Sequence, residues 1–422
     1  VSRVRGVVKQ TFGSLDSRNY RLFFFGQLVS HTGGWMHTMA EAWLVLKLTH
    51  DGTAVGATLG FRFLPVLVLG LWGGTIVDRY DIRRLLVITQ LAQTALMLVL
   101  WVLVLTGVVE VWMVFAIAIL TGCVTAVDQP GLNAFAEQMV GPERLSNAVA
   151  LNSAVSNSAR MTGPALAGFV IAWAGVSWVF FLDAVSFLAV VAALLAMRAS
   201  DLLPMHRTTS RPRLREGLTY TWGIVEIRST VLLVFVTGLL VYNFPTFLTI
   251  MADDLHGDAG LAGLLMAALG LGTLVGALAA AHRSRQSTRT VLMAAACLGA
   301  LLVVTAAMPT KGLVLLALVP TGALAVFFGS ISNAHMQLWS APQYRGRVMA
   351  VYSMLAMGTT IVGGPLTGWI SQRWSARAGM GVAGVVTLAA AAALAGVARR
   401  DREVVAEPEL LAEAVEATID AP

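Results

Sequence analysis

Charge is scarce in this sequence. Aspartate, glutamate, lysine and arginine make up 12% of its 422 residues against 57% hydrophobic ones, and mean hydropathy is +0.75. A water-soluble surface cannot be built from that balance, so a soluble globular chain is excluded. Cysteine is almost absent: Cys123 and Cys297 each fall midway through an apolar segment, which excludes a disulfide framework and a cysteine metal cluster. Lysine is limited to Lys9, Lys47 and Lys311. No Gly-x-x-x-x-Gly-Lys-Ser/Thr phosphate loop occurs, so ATP is not an expected partner. No nucleophile, base and orienting acid assemble at a recognisable spacing, which argues against an enzyme. The formal charge of +6 sits in short clusters between apolar runs rather than along one face, which argues against nucleic acid.

What is present is a succession of apolar runs of roughly 20 residues, each long enough to cross a bilayer as a helix. They predict an all-α membrane protein of about twelve transmembrane helices, at 20–48, 53–77, 85–106, 110–138, 146–173, 176–198, 229–252, 258–281, 290–308, 312–340, 344–372 and 377–398. No cleavable signal peptide is expected, because the first apolar stretch follows polar and basic residues and continues past signal-peptide length.

Orientation follows from the 29 lysines and arginines. With the amino terminus inside, most lie inside, including Arg3, Arg5, Lys9, Arg18 and Arg21 of the first tail and Arg79, Arg83 and Arg84 of the second-to-third loop. Only Lys47, Lys311, Arg373 and Arg377 fall outside, and Arg62 and Arg160 lie within the membrane, so both termini are expected to be cytoplasmic in a bacterial inner membrane. The expected organisation is a six-helix bundle over 1–199, a cytoplasmic linker over 200–228 with an interfacial helix near Arg215 to Glu226, a second six-helix bundle over 229–398 and an acidic tail over 399–422. Disorder is the expectation for that tail.

The halves repeat. At an offset of 200, Asn133-Ala134 meets Asn333-Ala334, Pro142 meets Pro342 and Ser153 meets Ser353; one residue of slip brings Gly163-Pro164 and Gly168 onto Gly364-Pro365 and Gly368. Two parallel, pseudo-symmetric six-helix bundles are the architecture of the major facilitator superfamily, whose substrate site lies between the halves near the midplane.

Gly74-Thr-Ile-Val-Asp78-Arg79-Tyr80-Asp81-Ile82-Arg83-Arg84 resembles the signature loop of that superfamily, with Asp81 where a glycine is usual. The resemblance implies that Asp78 and Arg79 gate the cytoplasmic side, and Gly74 is expected to allow close helix approach. The matching loop, His282-Arg283-Ser284-Arg285, lacks the acid. Span five, with Ala150, Ala159, Gly163-Pro164, Ala167 and Gly168, resembles the antiporter signature with alanine in three glycine positions. This implies a bias toward efflux, while small residues and a proline serve packing in any membrane bundle. Gly26-Gln-Leu-Val-Ser30, Ala42-Trp-Leu-Val-Leu46, Phe63-Leu-Pro65, Leu145 through Ser153 and Tyr242-Asn-Phe244 resemble the transmembrane secretion effector branch, which includes the enterobactin exporter.

An ionised group at mid-bilayer costs some 2.5–3.5 kcal/mol on insertion scales, so each needs a reason. Helix rise from the turn near Asp51 puts Glu41 and Arg62 at similar depth, and rise from the turn near Pro142 puts Asp128 and Arg160 within about 6 Å of each other in depth. Both pairs are expected either to be static salt bridges or, for Asp128 with Glu41, to exchange a proton as the protein cycles. His37 and Glu41 share a helical face, but His31 lies about 120° from His37 around the helix, so no metal site is expected. Asp183 is a further intramembrane acid without an assigned partner.

The expected function is a secondary transporter that exports a small amphipathic molecule such as a drug, siderophore or secondary metabolite. Protons are its coupling ion, the lipid bilayer and the substrate are its partners, and no cofactor is required. An importer of a nutrient with the same fold, and a non-transporting receptor, are the alternatives.

Overall fold

Helix ends are set by local chemistry. Asp51, Asp81, Ser287 and Thr310 are N-caps, their side-chain oxygens accepting from the backbone N–H of Thr53 (2.8 Å), Arg84 (2.8 Å), Thr290 (3.2 Å) and Leu313 (3.4 Å). Asp81, standing where a glycine was usual, is thus a cap for the helix that follows. Gly141 and Gly175 take φ of 73° and 94° to turn the chain sharply between consecutive helices.

The computed structural model describes residues 13–203, 214–281, 287–341 and 344–419, with backbone alone at 71, 142, 146, 214–218, 281 and 398–419. The spans, numbered in order, are Arg18–Thr49, Gly52–Arg79, Ile82–Leu105, Val111–Val140, Pro142–Ala174 and Val176–Ala196 in the first half. In the second half they are Val225–Leu240 continued by Phe244–Asp254, then Ala259–Ala281, Thr288–Ala307, Lys311–Trp339, Arg345–Arg373 and Ala376–Ile419. No strand occurs among the described residues.

Ten of these spans are long and apolar enough to cross a membrane. The other two, spans one and five, have the length, at 32 and 33 residues, but are diluted by polar groups: buried Gln27, His37 and Glu41 in span one, and half-buried Asn152, Ser156, Asn157, Ser158 and Arg160 in span five.

Span seven departs from the expected continuous helix. It is interrupted at residues 241–243, where Tyr242 N–H reaches back to the Thr237 carbonyl (3.0 Å) and the Asn243 side-chain amide donates to the Leu239 carbonyl (3.0 Å). Pro245 opens the second segment. Backbone groups freed inside a bilayer must be satisfied by protein, and Asn243 supplies part of that requirement.

The halves meet along two equivalent seams. Span two crosses span eleven with Gly56 against the backbone of Gly364 and Gly368 against that of Gly52. Span five crosses span eight with Gly263 against the Pro164 carbonyl and Gly168 against Ala259 and Gly260. A methyl group at Gly56, Gly364, Gly368 or Gly263 would overlap backbone, so only glycine permits the approach there. These crossings occupy the part of the bundle remote from the amino terminus. There Lys47 Nζ is also 2.9 Å from Asp253 Oδ1, and Gly52 N–H donates to Gln372 Oε1 at 2.9 Å. The Gly56/Gly60 and Gly272/Gly276 pairs are likewise consumed inside the bundle, the latter against Val319 and Ala323 of span ten.

The linker contains a helix, Leu214–Gly223, fastened to the second half where Tyr220 stacks on Tyr344 (4.3 Å between ring centres) and its hydroxyl accepts from Ala341 N–H (3.0 Å). The tail expected to be disordered continues the backbone of span twelve to Ile419, in keeping with its run of alanine, glutamate and leucine, all good helix formers. The loop from His282 to Arg285 lies outside the described residues.

Candidate functional site

Four charged or titratable side chains converge inside the first half. His37 and Glu41 are one helical turn apart on span one, so they share a face. Arg62 of span two donates from Nη2 to Glu41 Oε2 at 2.8 Å and from Nη1 to Thr38 Oγ1 at 3.2 Å. The same guanidinium touches His37 Nε2, which is also 3.4 Å from Glu41 Oε2. On the other edge of the ring, His37 Nδ1 is 3.1 Å from Asp183 Oδ2 of span six. A carboxylate only accepts, so when His37 is neutral its proton sits on Nδ1 and its Nε2 lone pair faces Arg62. Glu41, His37 and Asp183 are 1%, 3% and 1% exposed. Gly33 lets span six come this close, since a side chain there would strike Asp183 and Ser186.

Glu41 and Arg62, placed at one depth by the sequence, therefore touch. Asp183, which had no partner, has His37. With neutral His37 the cluster holds two carboxylates and one guanidinium, so one added proton brings it to electroneutrality. The described residues hold no grouping of three or more histidine, cysteine or acidic side chains fit for a metal ion.

Asp128 and Arg160 do not pair. Asp128 on span four turns toward span three, where Thr89 Oγ1 donates to Oδ1 at 2.5 Å and Gln90 Nε2 donates to Oδ1 and Oδ2 at 3.0 and 3.1 Å. It is 9% exposed, and no ion pair among the described residues includes it. Arg160 turns instead toward the space between the halves, its guanidinium 5.0 Å from the centre of the Trp35 ring. Counting residues from a turn fixes the height of a side chain, not the direction in which it points. That is why the depth argument brought these two together and the fold separates them.

Arg160 and Trp35 border a cavity of about 160 Å³ lined from five spans, with Pro164, Tyr242, Phe244 and Leu269 among its walls. All come from near the middle of their spans, so the cavity sits at the midplane between the halves. Pro164 cannot donate to the Arg160 carbonyl four residues back, so the helix is weakened beside the cavity. The break in span seven opens onto the same space through Tyr242, Phe244 and Pro245. The close pairing of Asn243 and Pro245 is the sequence signal for that break, and it went unread within an apolar run.

The signature loop is engaged on one side only. Arg83 donates from Nε to the Leu194 carbonyl (2.8 Å) and from Nη2 to that of Leu195 (3.1 Å), tying the loop to span six. Asp78, Arg79 and Arg84 are exposed, the first two at the mouth of a polar recess that reaches Gln138 and Leu202. The close approach assigned to Gly74 belongs to its neighbour: a side chain at Gly73 would strike the Ala126 carbonyl, whereas Gly74 faces open space. In span five, Ala159 is fully buried and Gly163 packs on Thr32, Trp35 and Met36 of span one. In span eleven, Gly364-Pro365 and Gly368 form the counterpart seam.

Residues 9–419 match the family described as transmembrane secretion effector. The chain belongs to that family of major facilitator transporters. This family member is similar to the multidrug efflux pump Tap of Mycolicibacterium fortuitum, at 30% identity over 369 residues, 82% of this chain and 88% of that one. It is similar to the staphyloferrin A transporter of Staphylococcus aureus at 26% over 272 residues, 61% of this chain and 66% of that one. Among solved structures, the nucleoside transporter NupG superposes with a TM-score of 0.70 at 13% identity over 90% of this chain and 98% of that one, a likeness of fold alone. The protein is therefore a multi-pass membrane transporter of small molecules and not an enzyme.

Proposed function

We propose that this transporter exports a small amphipathic molecule, such as a drug, siderophore or secondary metabolite, in exchange for protons, by alternating access across a bacterial inner membrane with both termini cytoplasmic. The observation that carries the reading is the midplane cavity between two halves whose close glycine crossings, among the described residues, lie toward one end. With the termini inside, the closed end is the outer one, and the cavity belongs to a carrier ready to load from the cytoplasm. Exposed Asp78 and Arg79 fit that state, since a cytoplasmic latch is released in it. The efflux relatives favour outward transport.

Coupling is assigned to the buried acids. Asp128 is held by neutral donors, which suit a carboxyl that takes up and gives back a proton, and the Glu41 cluster reaches electroneutrality with one added proton. An inward proton moved down 100 mV supplies ~2.3 kcal/mol, and each pH unit ~1.4 kcal/mol, enough for a substantial substrate gradient.

The test uses inside-out vesicles energised to an acidic lumen and read with a pH-sensitive dye while amphipathic compounds are added. Prompt loss of the gradient is expected with the intact protein and not with Asp128→Asn, although the variant remains in the membrane. Substrate-driven proton release that survives Asp128→Asn would overturn the role of that residue. Accumulation of substrate in whole cells rather than its extrusion would overturn export.

A further inference from the structure

Arg160 is a half-buried charge inside the bundle that no side chain among the described residues balances. Its Nε is buried without a hydrogen-bond partner, and no ion pair among the described residues includes it. The Trp35 ring beside it offers a π face but no anion. Nor does the seam between the halves require a cation here. Gly270 packs against the Arg160 carbonyl, and at the counterpart seam Gly60 packs in the same way against the carbonyl of Ile361. The second half builds the same crossing on an aliphatic residue. A cation at mid-bilayer depth, needed neither by a carboxylate nor by packing, is a binding group.

A second feature points the same way. The latter segment of span seven, Phe244–Asp254, starts on the cavity wall, with Phe244 and Pro245 lining it. Its first turn carries the positive end of the helix dipole, equivalent to about half an elementary charge; Pro245 has no N–H and those of Thr246 and Phe247 donate to the Asn243 carbonyl (3.1 and 3.3 Å), so the turn acts on an anion through this dipole and the Phe244 N–H. The Tyr242 hydroxyl is committed to the Ala325 carbonyl (2.9 Å), which leaves Arg160 as the strong donor. The remaining walls, including Met266 and Leu269, are apolar apart from Thr273, whose hydroxyl donates to the Gly270 carbonyl (2.7 Å).

We propose that the transported molecule binds here as an anion, its carboxylate or phosphate group held by Arg160 and the N-terminus at Phe244, and its apolar body lying on Trp35 and Leu269. The inference rests on the transporter reading of the central cavity and narrows the substrate class within it.

The experiment is equilibrium binding to the full-length protein in phosphatidylcholine nanodiscs, followed by dansyl fluorescence. Three probes share one apolar body: dansylglycine (anionic), dansylglycinamide (neutral) and dansylethylenediamine (cationic). The expected order is anion first, at least tenfold tighter than the amide, and cation last. Arg160→Gln should bring anion and amide to equal affinity, and Arg160→Lys should keep part of the preference. Equal binding of all three by the intact protein, preference for the amide or the cation, binding of none, or an anion preference that persists in Arg160→Gln each overturns the proposal. If Arg160→Gln fails to fold, the ranking by the intact protein decides. Phosphatidylglycerol added to the nanodiscs separates two sources of the same chemistry: displacement of dansylglycine identifies a lipid headgroup, and lack of displacement a soluble anion, with the anion site standing in both cases. Selective binding without flux in vesicles would remove the export reading and leave this one.

Discussion

Replacing Gly56 by valine should force the sealed end apart. The added side chain would overlap the Gly364 carbonyl and lie within 2.9 Å of the Pro365 nitrogen, and these are backbone atoms that cannot rotate away. Overpacking a close contact costs typically 1–3 kcal/mol. Because the crossing exists only while this end is closed, the cost falls on the closed state alone and moves the closed-to-open ratio by about 5- to 150-fold. The assay is a spin-label distance between Val108 and Lys311, which are exposed positions of different halves at this same end of the bundle, after substituting Cys123 and Cys297. The wild-type protein should give one short distance, and Gly56→Val a dominant longer one, without change in distances within either half. An unaltered distribution in a folded Gly56→Val protein would refute the claim that the Gly56–Gly364 crossing is what closes the seam.

Two further expectations concern stability. Glu41→Gln leaves the Arg62 guanidinium unpaired inside the bundle and should cost about 3–5 kcal/mol, whereas Glu41→Met combined with Arg62→Met should recover part of it; thermal unfolding in detergent reads both, and a single variant as stable as wild type would mean the pair contributes nothing. Gly73→Ala should lower the melting temperature, because its methyl group meets the Ala126 carbonyl, while Gly74→Ala should be nearly neutral. The reverse order would return the close approach to Gly74.

Much of this was legible in the sequence. Span lengths follow from bilayer thickness, and the repeat that aligns Gly163-Pro164 with Gly364-Pro365 follows from duplication of a unit that buries its interior only against its copy. The Glu41–Arg62 contact was also foreseeable, since two helices joined by a tight turn must place residues equidistant from it at equal depth. What needed the tertiary structure was direction around each helix. Asp128 and Arg160 lie at accessible depths, yet one faces Thr89 and Gln90 and the other faces the cavity, because azimuth is set by which neighbouring helix packs where. The same holds for His37 between Glu41 and Asp183, which joins residues 146 positions apart, and for the choice of Gly73 over Gly74. The sequence by itself determined that this chain lies in a membrane as two duplicated bundles with a few buried charges. Only the packing of the helices decided which of those charges neutralise one another and which is left facing the space where a substrate would bind.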